Sequence, residues 1–374
     1  MTSTIDSETP GAGGEQPPSP PGEKGLGTEN GKAFRRAELS DKWVRVVLTV
    51  LAVIPALALA FLAYQLFKTA WPAFGSNGIH FFYGNSWQQA RGVANGGYGA
   101  LPGMGSVNTK AHYGIGPMIL GTLVSSIIAL VIAIPVAVTG TILLVERLPQ
   151  RLQDPLSVFL QLLAGIPSVI FGLWGIFILG PPLAQHVYPL IADLGIPWLS
   201  EKGTITHNGQ GILTASVVLA VMIIPIIAST TRELLRAVPA TAREGAVALG
   251  LTPSESVRAV TLPFVRSGVI AASFLGWGRA LGETMAVLMI SGGSPTGVYP
   301  RSVFAPFMSL ASTIAQQLEA ALQGGSNIGS NPLLQTIAEI GLVLLVITLV
   351  TNFAGRIISS RLSGGTSLPV GRGV

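Results

Sequence analysis

Long apolar runs constrain the fold of this chain more than any other feature of its sequence. An α-helix rises 1.5 Å per residue, so about twenty consecutive apolar residues cross the hydrocarbon core of a bilayer. In lipid, a helix satisfies its own backbone hydrogen bonds, which makes it the expected structure for such a run. The sequence therefore predicts an all-α membrane protein with six transmembrane helices, at residues 43–67, 117–145, 157–180, 211–231, 267–292 and 333–353.

The composition agrees with this fold class and excludes several kinds of site. Only 10% of the 374 residues are charged and 49% are hydrophobic, whereas ordinary soluble domains carry about 25% charged residues. The absence of cysteine excludes disulfides, thiolate metal sites and cysteine nucleophiles. The four histidines are scattered through polar connections without the spacing of metal ligands. We therefore expect no metal and no cofactor in this chain.

The distribution of Lys and Arg predicts the orientation in the membrane. Of the 22 Lys and Arg residues, sixteen lie in the N-terminal stretch up to Arg45, after the last run, or in the second-to-third and fourth-to-fifth connections; five lie in the other connections, and Arg279 lies within the fifth run. Because cytoplasmic segments carry the excess of positive charge, both termini are expected in the cytoplasm of a multi-pass cell-membrane protein. Residues 1–42, rich in Gly, Pro, Ser and Glu, predict a disordered cytoplasmic tail, and residues 363–374 a short C-terminal tail.

Prolines inside the apolar runs favour a transporter core over a simple anchor. Pro135, Pro167 and Pro225 lie inside apolar runs, and irregular helices are tolerated where neighbours or a water-filled cavity satisfy the freed backbone groups. The outer connections are long, at residues 68–116, 181–210 and 293–332. Within the last of these, Gln and Glu residues make 302–323 an expected interfacial amphipathic helix and not a seventh span.

The cytoplasmic connection at 232–266 predicts a short helix–turn–helix. Pro239 suits the first turn of a helix, and Gly250 suits the C′ position that ends it. Thr252 and Glu255 form a T-x-x-E capping box that begins a second helix, and Pro263 is expected to end it. The two spans on either side would hold this hairpin at the membrane surface.

This hairpin resembles the EAA signature of ABC importer permeases. The matching residues are Glu244, Gly245, Ala246, Gly250, Val260, Leu262 and Pro263. Gly245 and Val260 replace the Ala and Ile of the signature. In that family the loop docks into a cleft on a separate ATP-binding subunit and transmits its closure to the spans. The resemblance implies a type I ABC importer permease core with these seven residues in the coupling hairpin.

The chain is not expected to hydrolyse ATP itself. A phosphate-binding loop needs the pattern G-x-x-x-x-G-K-[ST]. The Gly-Lys pair at Gly31 and Lys32 is followed by Ala33, so this pattern is missing. ATP and magnesium are therefore expected on a partner subunit, and the chain is expected not to be an enzyme.

Arg279 and Glu283 are charged residues near the middle of the fifth run. A charge at bilayer depth costs about 2.5–3.5 kcal/mol on insertion scales. On a continuous helix, at about 100° per residue, Glu283 falls about 40° from Arg279 on a face of mostly small residues. That face is expected to leave room at the centre of a helix bundle.

Two interpretations of this pair stay open. As an i, i+4 ion pair, Arg279 and Glu283 would neutralise each other and hold helices together. As a substrate path, Arg279 would donate its forked hydrogen bonds to a passing oxyanion. Glu283 would then keep the arginine from trapping that anion, because a path must also release its substrate.

The stretch GRALGETMAV around this pair resembles phosphate ABC importer permeases of the PstC type. Sulfate and molybdate permeases share RALGE but typically continue with F-G-A. The stretches YGIGPMILGTLVSSIIALVIAIPVA and AGIPSVIFGLWG match the same family, and the resemblance covers about residues 43–362. It implies import of inorganic phosphate, and it implies four partners: a PstA-like second permease, two copies of an ATP-binding subunit, and an extracytoplasmic phosphate-binding protein. No nucleic acid is expected as a partner.

Other functions are weighed against this one. A permease for another tetrahedral oxyanion, such as sulfate, molybdate or tungstate, is the nearest alternative. An ion-coupled secondary carrier would also use buried charges, but it would not need the EAA hairpin. A membrane-embedded enzyme would need clustered His, Asp or Glu on the spans, and the runs offer little besides Glu283 and Glu339.

Overall fold

The structure, a computed structural model, describes residues 26–88, 112–196, 204–293, 298–323 and 331–363. Its contacts divide the chain into two units, Met1–Leu62 and Ala63–Val374, with the division inside the first helix. The described residues are mostly helical. In chain order the elements are α1 (Leu26–Asn77), α2 (His80–Tyr83), β1 (Trp87–Gln88), β2 (His112–Tyr113), α3 (Gly116–Glu146), α4 (Gln150–Ala164), α5 (Ser168–Trp174), α6 (Gly180–Pro182), α7 (Tyr188–Ala192), α8 (Ile212–Arg236), α9 (Ala240–Ala248), α10 (Pro253–Ser256), α11 (Leu262–Leu281), α12 (Met285–Ile290), α13 (Leu310–Gln323) and α14 (Pro332–Ser363).

Six helical segments are long and apolar enough to cross a membrane, which confirms the predicted fold class. They are Trp43–Asn77, Gly116–Glu146, Ser168–Ala192, Ile212–Arg236, Pro253–Leu281 and Pro332–Leu362. Two of them contain π-helical turns, at Gly175–Leu179 and Leu183–Val187 in the third segment and at Val257–Thr261 in the fifth. The turns therefore join short α-helical pieces into longer segments.

The third segment differs from the helix predicted at 157–180. The chain forms α4 up to Ala164, leaves the helix at Gly165–Pro167, and begins α5 at Ser168. Pro167 has an extended ψ of 137°, and a proline also keeps the residue before it out of the helical region. Pro167 therefore ends one helix and precedes another, where the sequence analysis expected a single irregular helix.

The beginning of the first helix also differs from expectation. Residues 1–25 of the predicted disordered tail lie outside the described residues, but the backbone is helical from Leu26 onward. Extending an existing helix fixes one residue per added hydrogen bond, and the stretch KAFRRAEL consists mostly of good helix formers. The first helix therefore begins before the predicted boundary at residue 42. Residues 364–374 of the predicted C-terminal tail lie outside the described residues.

The core of the second unit forms where α3 packs along α8, and α11 packs against both α8 and α14. Ala129, Ala133 and Ala137 of α3 are buried against large apolar side chains of α8, including Leu219 and Ile223. Small residues on one helix allow the backbone of the next to approach closely, which is how membrane helices gain packing energy. This core fixes the position of α11, the helix that carries Arg279.

The connection before α14 contains the expected extra helix. α13 has 14 residues, so at 1.5 Å per residue it is about 21 Å long and too short to span a bilayer. It begins at Leu310 and not at 302, because residues 302–309 form turns that bury Phe304 and Phe307.

The last residue of α1 contacts α14. Asn77 donates a hydrogen bond of 3.0 Å to the fully buried Glu339 of α14.

Candidate functional site

The hairpin between α8 and α11 has the local structure that its sequence predicts. α9 begins directly after Pro239, one residue later than expected, and Gly250 adopts a left-handed φ of +81° after its end. Thr252 and Glu255 form the capping box, with the Thr252 N–H donating to Glu255 Oε2 at 2.8 Å. The turn between the two helices is therefore set by one glycine and one cap.

The prediction that Pro263 ends the second helix is wrong. α10 continues through the π-helical turn Val257–Thr261 into α11, with Pro263 in the first turn of α11. A π turn carries one residue more than an α turn and changes the hydrogen-bond partners, so the missing N–H of proline can be accommodated there. Val260 lies in this π turn and Leu262 begins α11, which makes one continuous helix from Pro253 to Leu281.

The exposed side of the hairpin presents both charge and apolar surface. Glu244 and Gly245 are exposed, whereas Ala246 is only 4% exposed and packs against the rest of the subunit. Val247 is 62% exposed and Leu249 is 82% exposed. Sequence reasoning missed these two residues, although apolar side chains in a polar connection were the signal. An acidic residue beside exposed apolar side chains is suited to contact with another protein.

Arg243 joins the hairpin to two long helices, and sequence reasoning missed this role. Its Nη2 lies 3.1 Å from Glu146 Oε1 at the end of α3, and the same nitrogen donates to the Leu235 carbonyl of α8 at 2.7 Å. Both side chains are partly buried, which reduces the screening of their attraction by water. Arg243 therefore links α9 directly to α3 and α8.

If this hairpin couples a partner ATPase to transport, as its resemblance to the EAA signature implies, replacing Arg243 with glutamine should uncouple ATP hydrolysis from transport. The variant loses the ion pair to Glu146, so α9 can move without displacing α3 and α8. We expect uptake per hydrolysed ATP to fall several-fold, as expected when one partner of a half-buried ion pair is removed. Simultaneous measurement of uptake and ATPase activity checks this, with Arg258→Gln at an exposed position of the same hairpin as the control. An unchanged ratio in Arg243→Gln would contradict the coupling role.

The span predicted at 267–292 is not one continuous helix, because the helix that carries Arg279 ends at Leu281. α11 ends with Gly282 at its C-cap, and α12 begins at Met285. Glycine is a poor helix former, and the Glu283 carboxylate accepts a hydrogen bond from the N–H of Ala286 in the first turn of α12. Glu283 is half-buried and lies in this break.

The i, i+4 ion pair is not formed in this structure. Among the described residues, no ion pair or hydrogen bond joins the side chains of Arg279 and Glu283, and Arg279 is exposed. Arg279 lies in the last turn of α11, whereas Glu283 lies in the break that follows it. The arginine is thus an unpaired cation within a segment long and apolar enough to cross a membrane.

Small residues near Arg279 pack against α8 and do not line an open space. This corrects the expectation of an open face on α11. A Cβ on Gly276 would lie 3.2 Å from Ile227 Cγ1 of α8, and Ala272 is buried. These residues let α8 approach α11 closely. The exposed residues of α11 around Arg279 form a narrower strip between α8 and α14, which we call the Arg279 strip: Ala271, Leu275, Arg279 and Gly282.

Comparison with known proteins gives the class to which this chain belongs. The profile of the family described as binding-protein-dependent transport system inner membrane component matches residues 136–364. The chain therefore belongs to this family of multi-pass membrane components. Its fifth segment and hairpin lie wholly inside the matched region.

Curated relatives match over most of the chain. It is 46% identical over 325 residues to phosphate transport system permease protein PstC 1 of Mycobacterium tuberculosis, covering 86% of this chain and 94% of the relative. It is 32% identical over 334 residues to phosphate transport system permease protein PstC of Mesorhizobium japonicum, covering 89% of this chain and 94% of the relative. Among solved structures, an inward-facing form of the MetNI methionine ABC transporter aligns with a TM-score of 0.45 at 19% identity, covering 66% of this chain and 94% of that chain.

Proposed function

We propose that this chain is the membrane-spanning permease subunit of an ATP-driven ABC importer that carries inorganic phosphate into the cell. One observation carries the proposal: Arg279, on the strip between α8 and α14, is exposed and forms no ion pair with Glu283. The curated relatives match this chain over most of their length and are named as phosphate transport permeases. This supports phosphate as the oxyanion.

The chemistry of the Arg279 strip suits a phosphate that must both bind and leave. The guanidinium donates two parallel hydrogen bonds to an oxyanion and stays charged at any physiological pH. Glu283 lies in the helix break four residues later, within the same short stretch of chain. Its carboxylate weakens the hold of the arginine on the anion and accepts a hydrogen bond from a protonated phosphate. Binding is then weak enough for release.

The exposure of the Arg279 strip supports the requirement for a second permease. An arginine facing hydrocarbon would cost several kcal/mol, and Leu275 beside it is 60% exposed. A PstA-like subunit facing this strip would enclose a polar path between two six-span subunits. The hairpins of the two permeases would each bind one of two ATP-binding subunits, which hold ATP and magnesium. An extracytoplasmic phosphate-binding protein would deliver the substrate.

The orientation in this proposal follows from the distribution of positive charge. The α8–α11 hairpin alone carries Arg243 and Arg258, and Arg236 and Arg266 flank it. Segments with this excess stay in the cytoplasm, where ATP is available. Both termini would then be cytoplasmic, and Arg279 would lie between the outer connections and the hairpin.

Reconstitution of the complex in proteoliposomes tests the function. We expect labelled phosphate to enter only with internal ATP, the binding protein and the second permease all present, and an excess of sulfate or molybdate to leave uptake unchanged. Omitting the second permease is the control for assembly, and it should reduce uptake to background. Equal uptake of sulfate or molybdate would favour another oxyanion, whereas uptake driven by an ion gradient without ATP would indicate a secondary carrier.

A further inference from the structure

Asn352 of α14 lies directly against the residue that precedes Arg279. A Cβ on Gly278 would lie 3.0 Å from Asn352 Oδ1 and 3.4 Å from its Nδ2. The glycine thus leaves the space that the amide occupies. Gly276 has the same effect toward α8, so the two glycines bring α8 and α14 close to α11 on opposite sides of the Arg279 strip.

The position of Asn352 along α14 is inside the apolar segment. The Ser359 hydroxyl donates to the Ser267 carbonyl at 3.0 Å, and Gly355 packs against Phe274, so α14 and α11 run antiparallel. Asn352 lies seven residues before Ser359, which corresponds to about 10 Å along a helix. Its neighbours Val350 and Phe353 are exposed apolar residues.

The amide of Asn352 is an exposed polar group that the described part of the subunit does not satisfy. No hydrogen bond from its side chain to another described residue is formed, and the residue is exposed. An amide without a partner in an apolar medium is costly, so such groups in membrane segments face water, a ligand or another polar group. On α14, the exposed Arg356 lies one helical turn further along the same side.

We propose that Asn352 is a second residue of the phosphate path and contacts the anion beside Arg279. The inference rests on the proposed function of the Arg279 strip. Consecutive Cα atoms are about 3.8 Å apart, so an amide that touches Gly278 is within reach of an anion held by Arg279. The NH2 group donates to a phosphate oxygen without adding charge. A neutral donor binds an anion more weakly than a guanidinium does. Asn352 would therefore form a second, weaker hydrogen bond to the phosphate and still allow its release toward Arg356.

The other partner for this amide would be a polar group on the second permease. In that case Asn352 would hold the two permeases together and would not contact phosphate. The two roles differ in what a substitution changes. A path role changes the apparent affinity for phosphate in an assembled complex, whereas an interface role changes the amount of complex that assembles.

The experiment uses the whole reconstituted complex with Asn352→Asp, Asn352→Ala and Gly278→Ala. Aspartate has nearly the same shape but repels the anion, so we expect KM for phosphate to rise about tenfold or more with assembly unchanged. Alanine removes the donor and should raise KM by a smaller factor. Gly278→Ala pushes the amide aside by a few tenths of an ångström and should have an effect in the same direction. Thr139→Ala, which removes an exposed polar side chain of α3 seven residues from its end, is the control.

The outcomes separate this inference from the proposed function. If wild-type complex imports phosphate and Asn352→Asp and Asn352→Ala both keep the wild-type KM and rate, Asn352 is not a path residue, and the function stands. If these variants fail only because the second permease no longer co-purifies, the interface role replaces the path role. If wild-type complex imports no phosphate, both the function and the inference are overturned.

Discussion

Arg279→Ala should reduce phosphate uptake per assembled complex by about two orders of magnitude or more. A charge-assisted hydrogen bond contributes about 1.5–3 kcal/mol, and a guanidinium donates two of them to one anion. Insertion and assembly should persist, because removing a charge lowers the cost of placing the helix in the bilayer. Uptake of labelled phosphate, normalised to the amount of purified complex, measures the effect. Arg361→Ala, at the end of α14, is the matched control.

The double variant Arg279→Ala with Glu283→Ala separates a path from a structural pair. If the two residues served only to neutralise each other, removing both would restore assembly and transport. If Arg279 contacts the substrate, the double variant should assemble and bind the ATP-binding subunit normally yet import no phosphate. Uptake near the wild-type level in the double variant would contradict the path role of Arg279.

Gly250→Val should disable coupling between ATP hydrolysis and transport. Gly250 has a φ of +81°, and a left-handed conformation costs an L-residue roughly 1–2 kcal/mol, more when the side chain is β-branched. The strain would displace α10 and the capping box at Thr252, so the hairpin would no longer fit the ATP-binding subunit. We expect insertion to be normal, association with the ATP-binding subunit to weaken, and phosphate-stimulated hydrolysis to be lost.

Gly250→Asn is the matched variant for this prediction. Asparagine tolerates the left-handed region better than other non-glycine residues, so this variant should retain most of the activity that valine loses. Replacing Glu244, which is exposed beside this turn, should weaken docking without changing the turn itself. Normal ATPase association and hydrolysis in both Gly250→Val and a Glu244 variant would show that the hairpin does not dock.

Local rules predicted the parts of the structure that depend on a few neighbouring residues. The positive φ at Gly250 and the capping box at Thr252 follow from short-range hydrogen bonding, and both are present. The six spanning segments follow from length and apolarity, and they are present too. Pro263 was misjudged because a π turn, which has no clear sequence signal, carries the helix past it.

Contacts between distant parts of the chain were not predictable in the same way. Arg243 and Glu146 are 97 residues apart in the sequence, and Asn352 and Gly278 are 74 residues apart. The face of α11 was predicted from helical periodicity alone. Periodicity does not say which neighbour covers a face, nor that the helix stops at Gly282. Of the two interpretations of Arg279 and Glu283, the ion pair is therefore the one that does not form in this structure.

The continuous helix from Pro253 to Leu281 has a mechanical consequence. Its 29 residues make a stiff lever about 43 Å long, with the hairpin at one end and Arg279 less than one turn from the other. A tilt of roughly 5° about the Arg279 end would displace the hairpin end by about 4 Å at this length. If the hairpin docks on an ATP-binding subunit as proposed, force applied there would reach the guanidinium through a single backbone, and the π turn at 257–261 is the described departure from α-helical geometry between them.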